Sequence, residues 1–571
     1  MFKQSKKTLT MDGFGGIGSE IGGGRIADAV NFRIGSDGAL EKRCGYRCLA
    51  DVGLPVRACY SGLFEGRFAI FLLAGDTVYS LDLADETLSA LYTVANAEGN
   101  ACFFCLRGVL YLMDGGALYE LRDGQALPAV GYAPLFGKDW PNDIVGEICE
   151  PRNLLTRHAR ISYVVGQPAS AMLCTKYAVE SVEAVYLNQV LMSPEDYQID
   201  PTFNTVNIPG LVSGDRVLIY LTFKNGVEAL PESFYSCTEA ILFGGVNRNR
   251  LFFRGGSLPS VLFCSAYVDE ESRAESQRHY PGAAPLYIPE GYEFTVGDGR
   301  YRIRGTVPYH DRLLIFTEGD TWMAKEDTSG LAEFPIIPVH AKLGCFSENG
   351  AVAMGNEVLS MGRHAVLTWK DAADALDRCT VRSISDEVSS FLAKADSADW
   401  GLFYHEAEHV LLCYCRTSGD VLLYNPDRDC WYRYTGLYAD AFFDANGRIG
   451  FWKGGQIFLL DPSLSEDHPA SGEPLPICAE YAGERMDLGS EQKKILAGIT
   501  LYGCFEEDIG EWSLTEDGKR TVGHSLVCHA PSDYAVLRRR TPSGRFRHAS
   551  FRLTARGTSR PILHRLSLHI R

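Results

Sequence analysis

The sequence predicts an all-β protein with a β-propeller-like body, a small β-domain inserted into it and a C-terminal antiparallel β-sandwich. Three observations carry this. Short apolar strands separated by glycine-containing turns recur along the chain. The 28 Tyr, 29 Phe and 58 Gly favour strands and tight turns, because aromatic rings pack on a pleated surface and glycine takes positive φ without strain. Helical apolar periodicity is not sustained over a helix-length window anywhere.

Residues 1–50 read as an arm carrying the first strands. DGFGGIGSEIGGG (12–24) reads as very flexible, and NFRIGSDGALEKRCGYR (31–47) as strand, turn at Ser36–Gly38, strand. Such an arm is expected to lie against the body or a neighbouring subunit. Propeller hairpins occupy 51–134 and resume over 231–476. They are RFAIFLLAGDTVYSLDL (67–83), GVLYLMDGGALYEL (108–121), DRLLIFTEGDTWMAKE (311–326), GAVAMGNEVLSMG (350–362), HVLLCYCRTSGDVLLYNPDRDCWYRY (409–434) and GRIGFWKGGQIFLLDP (447–462). Each needs neighbours to bury its faces. Six units, roughly 40–50 residues apart within each cluster, follow the spacing of propeller blades. Tyr79, Tyr119 and Trp322, just past their turns, are expected between blades.

Between the two clusters, 135–230 reads as an inserted β-sandwich-like domain. Its stretch 181–223 shows four short strands, with turns at Asn188–Gln189, Pro194–Glu195, Asp200–Phe203 and Ser213–Asp215. Insertion at a surface loop adds little closure entropy. The polar stretch 265–295 reads as a long loop between blades. In 477–571, the segments 477–486, 493–504, 510–514, 524–530, 534–540, 546–555 and 562–571 alternate as in a seven-stranded sandwich. Phe546, Phe551 and Leu553 face one way there, with arginines exposed.

A chain of 571 residues is long enough for two to four cores. Its net charge of −17 argues weakly against a broad grip on nucleic-acid backbone and leaves open a lumen or channel through which nucleic acid slides, where repulsion prevents sticking. The termini break the acidic trend: Lys3, Lys6 and Lys7 open the chain, and Arg538, Arg539, Arg540, Arg545, Arg547, Arg552, Arg556, Arg560, Arg565 and Arg571 crowd its end. A salt-bridged interface with acidic neighbouring subunits is the preferred reading of those arginines, ahead of nucleic acid, since no aromatic stacking platform is interleaved. The 17 cysteines are odd in number and scattered, which reads as reduced thiols of a cytoplasm. The start, MFKQSKKTLTMDGFGG, lacks the apolar stretch of a secretory signal, and the apolar run 68–74 is too short to span a bilayer.

Motifs for chemistry fail on context. Cys102 and Cys105 have redox spacing but lie in a strand-like run without the helix N-terminus that activates a thiol. Cys413 and Cys415 alternate on one strand face, Cys44 and Cys48 flank a turn, and neither pair has zinc partners. His405 and His409 have helical metal-pair spacing within a turn entering a strand. The glycines of FGGIGSEIGGG lack the strand–turn–helix setting of a phosphate site and read as a hinge or docking arm. Asp76, Asp114, Asp320 and Asp420 sit at turns, where turn chemistry alone enriches Asp. No catalytic, cofactor-binding or metal-ligating residue is assigned.

The segment NFRIGSDGALEKRCGYR resembles the N-terminal signature of tail proteins of short-tailed bacteriophages, of the nozzle (tail-tubular-B) type and the related stabilisation or hub type. That signature is an Asn near a strand, a Gly-containing turn, then Arg and usually Pro-Gly. Asn31, Gly38, Arg43 and Gly45 match, with Cys44 in place of the proline. Segments 185–199, 244–267, 311–324 and 544–571 are also similar to stretches of these virion proteins. The resemblance implies a non-enzymatic virion structural protein without cofactors. It would be a subunit of a homo-oligomeric, sixfold ring in the tail or head-to-tail connection, made in the bacterial host cytoplasm. Adaptor or portal-side and other tail proteins would be its partners, and double-stranded DNA would pass through during genome ejection. The rival class is a propeller-type glycoside hydrolase or glycan-binding protein, marked by two channel carboxylates about 5–9.5 Å apart in a sugar-sized pocket. A third class is an intracellular propeller scaffold.

Overall fold

The computed structural model describes residues 7–571 apart from 13, 22–23, 36, 123–124, 143–145, 168–169, 174–176, 203, 225–231, 244–249, 283–285, 326–333, 373–377, 489, 506–507, 528–531, 542 and 557–559. Lys3 and Lys6, and the start of the similar segment 244–267, therefore lie outside the described residues. Strands take 55% of the chain and helices 5%, so the fold is all-β.

Seven four-stranded antiparallel blades form the body, six of them separate sheets and one the end of a ten-stranded sheet. Blade 1 is Val56–Phe64, Arg67–Ala74, Thr77–Leu81 and Leu88–Thr93; blade 2 is Cys102–Leu106, Val109–Met113, Leu118–Arg122 and Gln125–Pro128. Blade 3 is Glu239–Phe243, Arg250–Arg254, Val261–Cys264 and Glu293–Thr295; blade 4 is Ile303–Tyr309, Arg312–Thr317, Thr321–Lys325 and Ile336–His340. Blade 5 is Ala351–Met354, Glu357–Met361, Val366–Asp371 and Cys379–Ser383; blade 6 is Trp400–His405, Val410–Cys415, Val421–Asn425 and Cys430–Tyr434. Blade 7 takes Ala441–Asp444, Ile449–Lys453 and Gln456–Asp461 from one stretch, and its outer strand, Gly45–Asp51, from the start of the chain. The first strands of successive blades are neighbours, and blade 7 meets blade 1, so the ring closes as a β-propeller.

Near-continuous apolar runs follow from this stacking, because each middle strand is buried on both faces. In blade 1, Ile70 and Leu72 face Ile457 and Leu459 of blade 7, while Phe71 and Leu73 face Leu110 and Leu112 of blade 2. In blade 2, Tyr111 and Met113 turn the other way, toward Leu251 and Phe253 of blade 3. Tyr79, Tyr119 and Trp322 all pack in such clusters between blades. Each fully buried Leu or Phe contributes about 1.5–3 kcal/mol, so the ring is held mainly by these interfaces.

Blade 3 is absent from the six hairpins marked in the sequence, because a wide loop rather than a Gly-Asp turn joins Arg250–Arg254 to Val261–Cys264. The expected inter-blade loop at 265–295 is also corrected. It lies within blade 3 and carries the helix Glu270–His279, capped by Asp269 through Ser272 N. Ser276 is that helix's one buried residue, so it has no apolar stripe to read.

The insert has a five-stranded sheet (Leu135–Pro141, His158–Val164, Arg216–Phe223, Val179–Leu187, Val190–Leu191) and a three-stranded one (Ser170–Met172, Thr205–Asn207, Gln198–Asp200). Phe136, Trp140, Ile161, Tyr163, Val185, Val206, Ile219 and Leu221 form its separate core.

The C-terminal sandwich contains Ala479–Gly483, Leu496–Phe505, Asp508–Glu516, Arg520–Val527, Ser532–Arg540, Ala549–Ala555 and Ile562–Ile570, one strand in each expected segment. The picture of residues 1–50 as an arm is corrected: they are woven into two domains. Lys7–Asp12 and Leu40–Lys42 pair with Ile562–Ile570, and Gly24–Val30 pairs with Ala479–Gly483. Gly24–Val30 also meets the outer strand of blade 6 in parallel, so one sheet runs from the propeller into the sandwich. Within the segment expected to be flexible, Phe14 and Ile17 are buried, Phe14 edge-on to Tyr481 and Ile17 bridged to Trp431. Two bulky apolar anchors outweigh the glycines' freedom.

Candidate functional site: a junction, a channel and a basic face

Three of the four residues of the N-terminal signature, Asn31, Arg43 and Gly45, converge where sandwich, blade 6 and blade 7 meet, while Gly38 lies at the far turn of the hairpin beside Arg428. Asn31, at φ +52°, donates from Nδ2 to Thr435 Oγ1 (2.9 Å) and Cys478 O (2.7 Å). Its Oδ1 accepts from Thr435 N (2.9 Å) and Arg43 Nε (3.0 Å). Arg43 is buried and uses all five of its donors: Nη1 and Nη2 grip Asp467 at 2.8 and 2.6 Å, and the remaining hydrogens reach Cys44 O and Thr435 O. Gly38, at φ +85°, makes the turn between them. At Gly45 a Cβ would stand 1.7 Å from Glu466 O, so only glycine lets the closing strand of blade 7 enter there. Cys44 is half-buried, and burial pushes its thiol up. Asp467 was not singled out from sequence, and no local signal marks a partner 424 residues from Arg43.

The innermost strands surround a channel cavity of about 410 Å³, lined by Ala58, Phe103, Glu239, Ala351, Phe403 and Phe442 among others. Arg57 at its wall donates to five backbone carbonyls, those of Gly75, Asn96, Glu98, Gly99 and Asp114, and so staples loops of blades 1 and 2. Glu239 and Glu348 share the Arg254 guanidinium, and Glu348 also meets Arg304. Burial opposes the charge of Arg254, but the two carboxylates outweigh it and hold its pKa above the ordinary value. Both channel glutamates are thus engaged by guanidinium groups rather than set apart as an acid and a base.

The other residues nominated from sequence are dispersed. Cys102 faces blade 3, burial pushing its thiol well up, whereas Cys105 lies near Tyr60 of blade 1. Cys413 and Cys415 are buried in the core, and the described cysteines are all free thiols. His405 is buried with Nδ1 accepting from Glu408 N (3.3 Å), while exposed His409 faces Asp427 at 3.0 Å. Asp114 caps its turn by accepting from Gly116 N, Ala117 N and Asn96 N, and Asp76 accepts from Thr77 Oγ1. Asp320 holds Trp322 Nε1 (2.7 Å), and Asp420 pairs with Arg433 (3.0 Å). Among the described residues no group of three or more His, Cys, Asp or Glu is placed to hold a metal ion, and no helix is long and apolar enough to cross a membrane.

The C-terminal arginines divide into two kinds. Arg552 pairs with Glu480, Arg560 donates to Pro462 O and Arg539 to Val527 O. Arg538 and Arg540 instead project from an edge strand of the sandwich into solvent, with no carboxylate partner among the described residues. The chain is electrically lopsided: residues 477–571 hold 15 Lys and Arg against 11 Asp and Glu, and residues 1–476 hold 40 against 61.

No family model and no curated protein matches the chain. Among solved structures it is similar to the β-propeller domain of Cps50 (Swd1) from Myceliophteria thermophila, at 9% identity and a TM-score of 0.34, covering 72% of this chain and 98% of that one. It is likewise similar to the AfRom2 CNH domain, at 8% identity and a TM-score of 0.34, covering 73% and 99% respectively.

Proposed function

We propose that the protein is a structural subunit of a bacteriophage tail, of the nozzle or hub kind, forming a sixfold ring on the adaptor side of the head-to-tail connection through which double-stranded DNA passes. The junction of Asn31, Arg43 and Gly45, on the hairpin that Gly38 turns, carries the reading. These are the residues of the resemblance, and their chemistry is mechanical: one saturated guanidinium ties the start of the chain to blade 6, blade 7 and the sandwich. A ring loaded by passing DNA needs such a lock, and needs strand edges that are paired. DNA would run between subunits, because a 410 Å³ cavity walled by Glu239 and Glu348 does not admit a duplex whose major groove alone is about 12 Å wide. The acidic balance of the chain would keep the phosphates from sticking.

Mass photometry tests this on the purified chain, alone and mixed with the portal–adaptor complex of the same phage. The expected result is a monomer or weak oligomer alone, and the addition of several 63.0 kDa steps to the adaptor complex. A stable isolated dimer, or a chain that ignores the adaptor, overturns the reading.

A further inference from the structure

Two exposed surfaces on opposite sides of the propeller are complementary in charge and in apolar character. The insert leaves the ring between blades 2 and 3, whereas the sandwich extends blade 6 and follows blade 7. In a closed ring of seven these positions are across from one another, so they meet only between copies.

The far end of the insert, 187–215, contains Glu195, Asp196, Asp200 and Asp215 and no Lys or Arg. Its Asn188–Gln189 turn is tied to the neighbouring loop by Asn188 Nδ2 to Asp215 Oδ1 (2.9 Å). Beside that tie, Val190, Leu191 and Val212 are 69%, 58% and 61% exposed. Among the described residues nothing covers these three apolar side chains; Asp215 stands beside them, followed by exposed Arg216, and Glu195 and Asp196 come a few residues after Leu191.

The sandwich presents the opposite. Residues 534–571 hold ten Arg and no Asp or Glu. Strand register places Arg538 level with Thr500, Ser567 and Thr10, and Arg540 level with Gly498, His569 and Thr8. Val536 aligns with Tyr502 and is 47% exposed. Leu501, Leu537 and Leu566 point to the core, and Arg538 and Arg540 point away from it; Thr500 and Ser567 between them are buried, so the exposed part of this face is its edge at Val536, Arg538 and Arg540.

We infer that the acidic, apolar-tipped end of the insert of one copy docks on the Arg538–Arg540 face of the next copy's sandwich. Such a head-to-tail contact uses two different patches, and it generates a ring wherever the rotation closes. The electrical lopsidedness of the chain orients the encounter, while Val190, Leu191 and Val212 against Val536 and Tyr502 supply the apolar centre. The inference rests on the ring reading for its place in the virion, but the contact itself is tested without an adaptor.

The test is a charge swap in the full chain, read by sedimentation velocity at low and at high salt. Arg538→Glu/Arg540→Glu and Glu195→Lys/Asp196→Lys are each expected to weaken self-association about tenfold or more, as close charge pairs do. Mixing the two variants, or combining all four changes in one chain, is expected to restore it, and unchanged melting curves show that each variant folds. Association that is indifferent to both pairs, a parent that stays monomeric at every concentration and salt, or a swap that fails to restore association each overturns the contact. So does a result in which Arg538→Glu/Arg540→Glu alters binding of a labelled DNA duplex but not self-association. A chain that associates through these faces yet ignores the adaptor keeps the contact and sinks the tail reading; assembly on the adaptor by all variants alike does the reverse.

Discussion

The insert keeps a core to itself, built around Phe136, Trp140, Ile161 and Tyr163, and touches the propeller through polar groups and a small aromatic cluster in which Tyr186 and Tyr220 meet Tyr280. Arg160 reaches Glu275 and Tyr132, and Glu183 meets Tyr280 and His279 of the blade 3 segment. The C-terminal sandwich shares one apolar cluster with blades 4 to 7, shares a sheet with blade 6, and borrows strands from the first 42 residues. One domain is grafted and the other is welded. The difference follows from where the chain crosses. The insert interrupts one loop, whereas the sandwich and the ring are closed by the same N-terminal segment and are expected to form as one unit.

The largest effect is expected from breaking the weld. Asp467→Ala leaves the Arg43 guanidinium, with its side chain 2% exposed, without its counter-charge. Removing one partner of a buried pair typically costs about 3–5 kcal/mol. Chemical denaturation is expected to show that loss in one transition that takes propeller and sandwich together. If the sandwich melts first and the propeller later, the two are not one cooperative unit.

Lys42 sharpens the same point through pH. It ends the strand Leu40–Lys42 and is 1% exposed; burial, with the neighbouring Arg43 charge adding to it, lowers its pKa from 10.5 to about 8. A lysine whose folded pKa lies below its unfolded one imposes its full cost below about pH 8. That cost fades as pH rises toward 10.5, because there the unfolded chain binds more protons than the folded one. Stability is therefore expected to rise by about 2–3 kcal/mol across that window. In Lys42→Met the rise is expected to vanish and the melt near neutral pH to shift upward. A parent whose stability is flat from pH 8 to 10.5 contradicts this.

Much of the weld was hidden from sequence, and the reason is distance. RFAIFLLAGDTVYSLDL announces a strand buried on both faces next to a turn, because every term of that pattern is local. FRHASFRLTAR likewise shows which residues face the core, and Phe546, Phe551 and Leu553 are buried. Gly45–Asp51 looks like any short strand, and only its pairing with Gln456–Asp461 makes it the closure of the ring. Asp467 sits in the polar run SEDHPASGEP with nothing to distinguish it from a surface loop. The helix Glu270–His279 escaped for the opposite reason, since its partners are Tyr220 and Arg160 rather than an apolar groove. Arg254 and Glu239 likewise look like surface charges until the blades bring Glu348 to them.

The smallest effect tests the graft. Arg160 is as buried as Arg43, so the two sites differ mainly in their carboxylates: Asp467 is 9% exposed, and Glu275 is 40% exposed. Water can take the place of Glu275, while Arg160 keeps its bonds to Ala133 O (2.9 Å) and Tyr132 Oη (2.8 Å) and its seat over the Tyr132 ring. Glu275→Ala is therefore expected to cost about 1 kcal/mol or less, the usual worth of a solvent-reached ion pair. Hydrogen exchange should quicken along His158–Val164 and Arg216–Phe223 while blade 6 and the sandwich keep their protection. If Glu275→Ala instead lowers stability as far as Asp467→Ala, the guanidinium at the insert is as dependent on its partner as the one at the junction. The insert would then count as a second welded domain.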